Sequence, residues 1–160
     1  MNKRKQIRLK DYDYSQSGVY FITVCTKDHK MLFWSNVGAT SGRPPKIELS
    51  EFGMVVDNSI CQIPKLYPNI KIYNYVIMPN HIHLLLGIEE SANGRPMVAP
   101  TISRVMKQMK GYVSKQIRYS IWQKSFIDHI IRNEKDFIEH YTYIENNPIK
   151  WEDDILYSKM

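Results

Sequence analysis

The chain has 160 residues, enough for one domain with a core of its own and no need of covalent staples. Its two cysteines, Cys25 and Cys61, cannot build a disulfide framework, and both fall in apolar segments, so they read as buried free thiols of a reducing compartment. Nothing approaches the roughly 20 consecutive apolar residues of a membrane span, which makes a soluble, cytoplasmic protein with no membrane partner the expectation.

Lysine and arginine number 22 against 16 acidic residues, a net charge of +6, and the charge is unevenly spread. Residues 1–10 hold Lys3, Arg4, Lys5, Arg8 and Lys10 without an acid, and a second acid-free interval, 91–127, carries Arg95, Arg104, Lys107, Lys110, Lys115, Arg118 and Lys124. Clustered positive charge of this kind is the footprint of a surface that holds a polyanion. Basic runs are also common on merely solvated faces, a reading that weighs equally for the N-terminal arm.

After the arm, 11–18 is polar and turn-rich, and 19–26 is β-branched and aromatic, the pattern of a central strand. A short strand is expected near 31–34. A Gly- and Pro-containing loop over 36–46 leads to another at 47–49. Ser50 and Glu51 open a first helix, in which Phe52, Val55, Val56, Ile60 and Ile63 recur at helical spacing and which Pro64 should stop. Residues 70–77 alternate as a strand and pass through Met78-Pro79-Asn80 into a second strand, 81–88. A polar loop over 89–100 follows. A second helix spans about 101–119, with Ile102, Val105, Met106, Met109, Val113 and Ile117 on its apolar face and Arg104, Lys107, Lys115 and Arg118 opposite. Residues 125–131 read as a last strand or extended connection. Asn133 then caps a third helix, with Asp136 three residues on, Phe137, Tyr141 and Ile144 on its buried face, and Pro148 at its end. Strand, helix, two strands, helix, strand is the order of an α+β, ferredoxin-like antiparallel sheet with helices packed mainly on one face.

The chemistry centres on His81 and His83. Residues one apart on a strand share a face, at about 6–7 Å, so the two imidazoles can serve one metal. A lone strand histidine is ordinarily a hydrogen-bonded structural residue. Two on one face of a run that is otherwise apolar to Ile88 are costly to bury without a shared partner. A metal pair beside a polyanion surface suggests phosphoryl chemistry, which needs a nucleophile and a further ligand. No carboxylate closely follows the histidines, but the chain has 11 tyrosines, and a phenol can attack phosphorus covalently. Three tyrosines in or beside the predicted helices have an amide four residues later: Tyr112 with Gln116, Tyr119 with Gln123, and Tyr143 with Asn147. Spacing does not choose among them. Helical geometry sets Tyr143 and Asn147 on the flank of the third helix with Asp136 and His140, whereas Gln116 falls in an apolar stripe and Gln123 beyond its helix. A flank tyrosine also commonly just packs its ring and bonds its hydroxyl.

Three blocks together, YVIMPNHIHL from Tyr75, WQKSFIDHIIRNE from Trp122 and YIENNPIK from Tyr143, resemble the HUH single-tyrosine transposases, and within them the REP-associated tyrosine transposases. The resemblance spans about residues 11–151. It implies a single catalytic domain over 1–160 with a basic arm at 1–10, and a ferredoxin-like fold with the histidine pair on a central strand. It also selects among the tyrosines, implying Tyr143 as nucleophile and Asn147 as the ligand that completes the metal site with His81 and His83. Related sequences often carry an aromatic just before the acid of the Asp-His-Ile-Ile segment, where this chain has Ile127, with Phe126 beside it to fill that space.

The implied activity is metal-dependent cleavage and rejoining of single-stranded DNA, at hairpin-flanked sites, through a 5′-phosphotyrosine, with Mg²⁺ or Mn²⁺ as the divalent metal. Single-stranded or hairpin DNA would be held by Arg104, Lys107, Lys115 and Arg118 and by Lys3, Arg4 and Lys5 of the arm, and a homodimer is compatible with the chain. Trp122 reads as core, and Trp151 as either core or a base-stacking platform. Two other classes fit the residues: a non-catalytic binder of single-stranded nucleic acid, and a metal-dependent hydrolase in which water attacks and Tyr143 is structural.

Overall fold

Residues 18–35, 47–89 and 101–151 are described by the computed structural model of the chain. The arm residues Lys3, Arg4 and Lys5, and most of both Gly- and Pro-containing loops, lie outside the described residues. Strand β1 (Gly18–Cys25) is followed by helix α1 (Glu51–Leu66), strands β2 (Ile70–Ile77) and β3 (His81–Ile88), helix α2 (Ile102–Ile117), strand β4 (Ile127–Ile131) and helix α3 (Glu134–Asn146). The four strands form one antiparallel sheet in the order β2-β3-β1-β4, the ferredoxin-like arrangement expected.

Alternation along the central strands divides the interior in two. Tyr20, Ile22 and Val24 of β1 and Ile82, Leu84 and Leu86 of β3 share one core with Val56, Ile60 and Ile63 of α1 and Val105, Met106 and Val113 of α2. Phe21 and Thr23 of β1 and His81, His83 and Leu85 of β3 point to the other face, which α3 covers. All eight residues of β3 are buried, because both of its faces are roofed. Two of the three helices thus pack on one face, and the third, which carries Tyr143, lies on the face of the histidines.

Several local expectations are corrected. Pro64 does not stop α1, which continues to Leu66, since the backbone of the last turn tolerates a proline there. The short strands near 31–34 and 47–49 reduce to a single bridge between Trp34 and Leu49. Cys61 is exposed, with only Cys25 buried. The buried seam of α3 is narrower than its apolar pattern suggests. Ile144 is buried, Phe137 is half-buried and Tyr141 is exposed. Asn133 caps this helix as expected, its side chain accepting the Asp136 N–H at 2.9 Å. Trp122 is buried, as its apolar surroundings suggest, and Trp151 is buried as well.

The docking of α3 depends on an irregularity in β2. Between Ile72 and Asn74 the register with β3 shifts, a bulge at Tyr73 that turns two successive side chains towards α3. Tyr73 meets Phe137 edge-on at 5.2 Å, and Asn74 Nδ2 donates to Glu145 Oε1 at 2.8 Å. Gly87 opposite leaves the room, because a Cβ there would lie 2.8 Å from the Tyr73 ring. Replacing Gly87 with Ala is therefore expected to push Tyr73 against Phe137 and destabilise the fold by about 1 to 3 kcal/mol, measured by urea unfolding.

Candidate active site

The turn before β3 is held from outside. Asn80 O accepts the Thr26 N–H at 2.9 Å and the Thr26 hydroxyl at 3.1 Å, and Pro79 O accepts the N–H groups of Leu32 and Phe33. Segment 26–33 covers the turn, and His81 is 0 % and His83 4 % exposed.

Each histidine is fixed through its outward nitrogen. His81 Nδ1 lies 2.8 Å from Asn80 Oδ1, and His83 Nδ1 lies 2.8 Å from Thr23 Oγ1 on the paired strand. Asn80 Nδ2 donates to the His29 carbonyl at 3.4 Å, which leaves Oδ1 as the acceptor facing His81, so His81 carries its proton on Nδ1 and turns the lone pair of Nε2 inward. The two Nε2 atoms converge to 3.1 Å. Two cis ligands at about 2.1–2.2 Å from an octahedral cation stand about 3 Å apart, so the pair already has a chelating bite. With a proton in place of a cation, His83 Nε2–H donates to His81 Nε2, and Thr23 donates to His83 Nδ1. Burial pushes the His81 imidazole down to about 3, and positive charge at His29 adds to the effect, so the ring is neutral and able to ligate at neutral pH.

Helix α3 brings the remaining groups. The Tyr143 ring stands edge-on to His83 at 5.3 Å and to Phe21 at 6.0 Å, while its residue as a whole is 45 % exposed. Eight residues further on, past the end of α3, Trp151 packs on His81 at 5.9 Å. Asn147 lies midway in that run, in helical backbone, buried to 3 %. Its Nδ2 position has no hydrogen-bond partner among the described residues. Exchanging the oxygen and nitrogen of an amide is an equally valid placement, so a buried, unsatisfied Asn147 atom is where a carbonyl ligand to a cation would sit. Two imidazoles and an amide oxygen are a chemically sensible donor set for a divalent ion.

The other candidate tyrosines are elsewhere. Tyr112 and Tyr119 are exposed on and just after α2, beyond the far face of the sheet, and Tyr119 packs edge-on to Phe52 at 6.0 Å. Gln116 is exposed and not part of the apolar stripe. Phe126 is buried and Ile127 is exposed, so the aromatic beside the Asp-His-Ile-Ile segment points inward.

Sequence reasoning did not find the supports, Thr23, Asn80 and Phe21. Asn80 read only as a turn residue, although its position next to His81 is the one available signal. Nor did it connect His129 with Asp136 and His140. His129 Nε2 approaches both carboxylate oxygens of Asp136, at 2.9 and 3.0 Å, and His140 Nδ1 lies 3.0 Å from Asp136 Oδ1. Burial opposes the charge of Asp136, but the Arg132 N–H and the two histidines outweigh it and hold the carboxyl below its ordinary range. Phe21 links this cluster to the histidine pair, touching His140 at 4.6 Å and stacking on His83 at 5.1 Å.

No protein-family profile matches the chain. An uncharacterized protein of Haemophilus influenzae is 34% identical over 98% of this chain and 94% of its own length. From the same organism, a protein described as "Putative REP-associated tyrosine transposase" is 24% identical over 86% of the chain and 74% of its length. The Escherichia coli REP-associated tyrosine transposase is 32% identical over 48% of the chain and 42% of its own length. Among solved structures, a REP-associated tyrosine transposase bound to a REP hairpin superposes with a TM-score of 0.62 at 23% identity, over 89% of this chain and 74% of that one. The chain is thus similar in sequence to REP-associated tyrosine transposases and shares the fold of one of them.

Within this transposase-like fold, the basic residues of α2 are separated from the histidines. Arg104, Lys107, Lys115 and Arg118 are exposed, as expected, but α2 covers the face of the sheet opposite His81, His83 and Tyr143. Among the described residues no helix is long and apolar enough to cross a membrane.

The depressed His81 has a consequence for stability. Unfolded, its imidazole takes up a proton near 6.5; folded, it does so only near 3, so its contribution is complete above pH 6.5 and is lost as pH falls towards 3. The metal-free protein is expected to lose stability across that window at up to about 1 kcal/mol per pH unit more than a His81→Gln variant, measured by denaturant unfolding at a series of pH values.

Proposed function

We propose that the chain is a metal-dependent single-stranded DNA transesterase that cuts and rejoins DNA through Tyr143. Its kinship with the REP-associated tyrosine transposases makes a transposase-type enzyme the starting point. The single observation that carries the finer reading is the convergence of His81 and His83 Nε2 at 3.1 Å with the Tyr143 ring 5.3 Å from His83.

His81, His83 and Asn147 would hold Mg²⁺ or Mn²⁺, which when bound supplies positive charge to the scissile phosphate. Asn80 and Thr23 keep both imidazoles aimed at that point, so little reorganisation is needed when a phosphate arrives. Tyr143 Oη attacks phosphorus, the bond to the 3′ oxygen breaks in line, and that oxygen leaves as a 3′-hydroxyl. The new bond is a 5′-phosphotyrosine. Attack on it by a second 3′-hydroxyl restores a phosphodiester and returns the tyrosine, so water and nucleotide cofactors are not consumed.

The separation of α2 from Tyr143 divides the labour on DNA. Arg104, Lys107, Lys115 and Arg118 hold the backbone of a hairpin stem at a distance from the scissile strand, and Lys3, Arg4 and Lys5 add charge from the arm. That the structurally similar transposase was solved with a REP hairpin supports DNA hairpins as the substrate class.

Incubation with labelled single-stranded hairpin DNA and Mn²⁺ is expected to give a denaturation-resistant protein–DNA adduct that chelation of the metal prevents. Tyr143→Phe should bind DNA within about twofold of the parent and form no adduct, and Tyr112→Phe should form it normally. An adduct from Tyr143→Phe would overturn the assignment, and cleavage without any adduct would favour hydrolysis by water. Changing Lys107 and Lys115 together to Ala should weaken binding and reduce the slope of log K against log salt by about 1.5, measured by fluorescence anisotropy.

A further inference from the structure

The His129, Asp136 and His140 cluster takes no part in the reaction above, yet its composition is that of a ligand set. His129 lies on β4 directly opposite Phe21 of β1, so its side chain is on the face that α3 covers. His140 stands one turn after Asp136 on α3, and its ring stacks on His129 at 4.6 Å with 17° between the planes. One ring nitrogen of each histidine and a carboxylate oxygen of Asp136 all lie within 4.8 Å of one another.

We propose that His129, Asp136 and His140 form a second divalent-metal site, a two-histidine, one-carboxylate set for a borderline ion such as Zn²⁺ or Co²⁺, separate from the His81–His83 pair. Imidazole nitrogens with one carboxylate favour such ions over Mg²⁺. The nitrogen to carboxylate distances of 2.9–3.0 Å are those of hydrogen-bonded neighbours and lie just inside the about 3.0–3.4 Å between ligands on one ion with bonds of about 2.1 Å, so only a slight opening is needed to admit it.

Two of the three ligands are held in advance, as metal ligands characteristically are. Asp136 Oδ2 accepts the Arg132 N–H at 3.0 Å, and the His140 ring is packed against Phe21 at 4.6 Å with its Nδ1–H donated to the Asp136 carbonyl oxygen at 2.8 Å, a bond that must give way for Nδ1 to take the ion. His129 is the solvent-facing partner and the entrance, with 46% of its side chain exposed. Three protein ligands leave at least one coordination position open to water. Bound there, the ion ties edge strand β4 to α3 less than one helical turn before Tyr143.

Stoichiometry tests this independently of DNA cleavage. The full chain, freed of metal, is titrated with Co²⁺ and followed by visible absorption and calorimetry, beside His129→Ala and Asp136→Asn. His129→Ala removes an exposed side chain from an edge strand and should fold normally, as circular dichroism can verify. The expected result is that one equivalent of Co²⁺ is lost, or its affinity falls about tenfold or more, in both variants, whatever the His81–His83 pair contributes to the total. Unchanged stoichiometry and affinity in His129→Ala would overturn the site. A His83→Gln chain that binds an equivalent which the His83→Gln/His129→Ala chain does not would support it even if the first pair binds nothing.

Discussion

A strand buried on both faces can carry two imidazoles only where something bonds every nitrogen, since each unsatisfied group would cost about 1 to 3 kcal/mol. Strand β3 is such a strand. Its Ile82, Leu84 and Leu86 belong to the core under α1 and α2, and the same alternation commits His81 and His83 to the opposite face. There Asn80 and Thr23 take the outward nitrogens, and the inward pair is left facing itself at 3.1 Å. Everything else at the candidate site follows from that constraint: a roof is needed, and the roof is α3.

Helix α3 is a thin cover. It buries Ile144 and half-buries Phe137, and leaves Tyr141 and Tyr143 exposed. Its position comes from specific contacts, the Tyr73 bulge and Asn74 at one side and Phe21 beneath, more than from a broad apolar face. A weakly buried helix suits the proposed role of Tyr143, which keeps its ring on His83 and nearly half of its surface in solvent.

Much of the fold was legible because the two periodicities are clean. The alternation of 70–77, the apolar run of 81–88 and the helical stripe of α2 each correspond to an observed element. What failed were short features whose state is decided by neighbours. Segments 31–34 and 47–49 have strand composition but only one bridge partner each, and Cys61 sits in an apolar stretch yet on the outward side of α1. At the site, the histidine pair was readable from spacing alone, since alternation on a strand fixes the shared face. Asn147 and Tyr143 were not, because an i,i+4 tyrosine and amide occur three times in or beside the helices. The resemblance selects one pair, and tertiary packing puts that pair's helix, α3, over the histidines and α2 beyond the opposite face. The same packing makes a cluster of His129, Asp136 and His140, whose members lie on two elements and share no motif.

The central claim is that His81, His83 and Asn147 converge on one cation beneath Tyr143. Anomalous diffraction from crystals grown with Mn²⁺ tests it most directly. The expected result is a peak bonded to Nε2 of both histidines, with the Asn147 side chain completing the set and the Tyr143 hydroxyl facing the open side. A His81–His83 pair that remains hydrogen-bonded to itself in saturating Mn²⁺, with no peak between the rings, would contradict it.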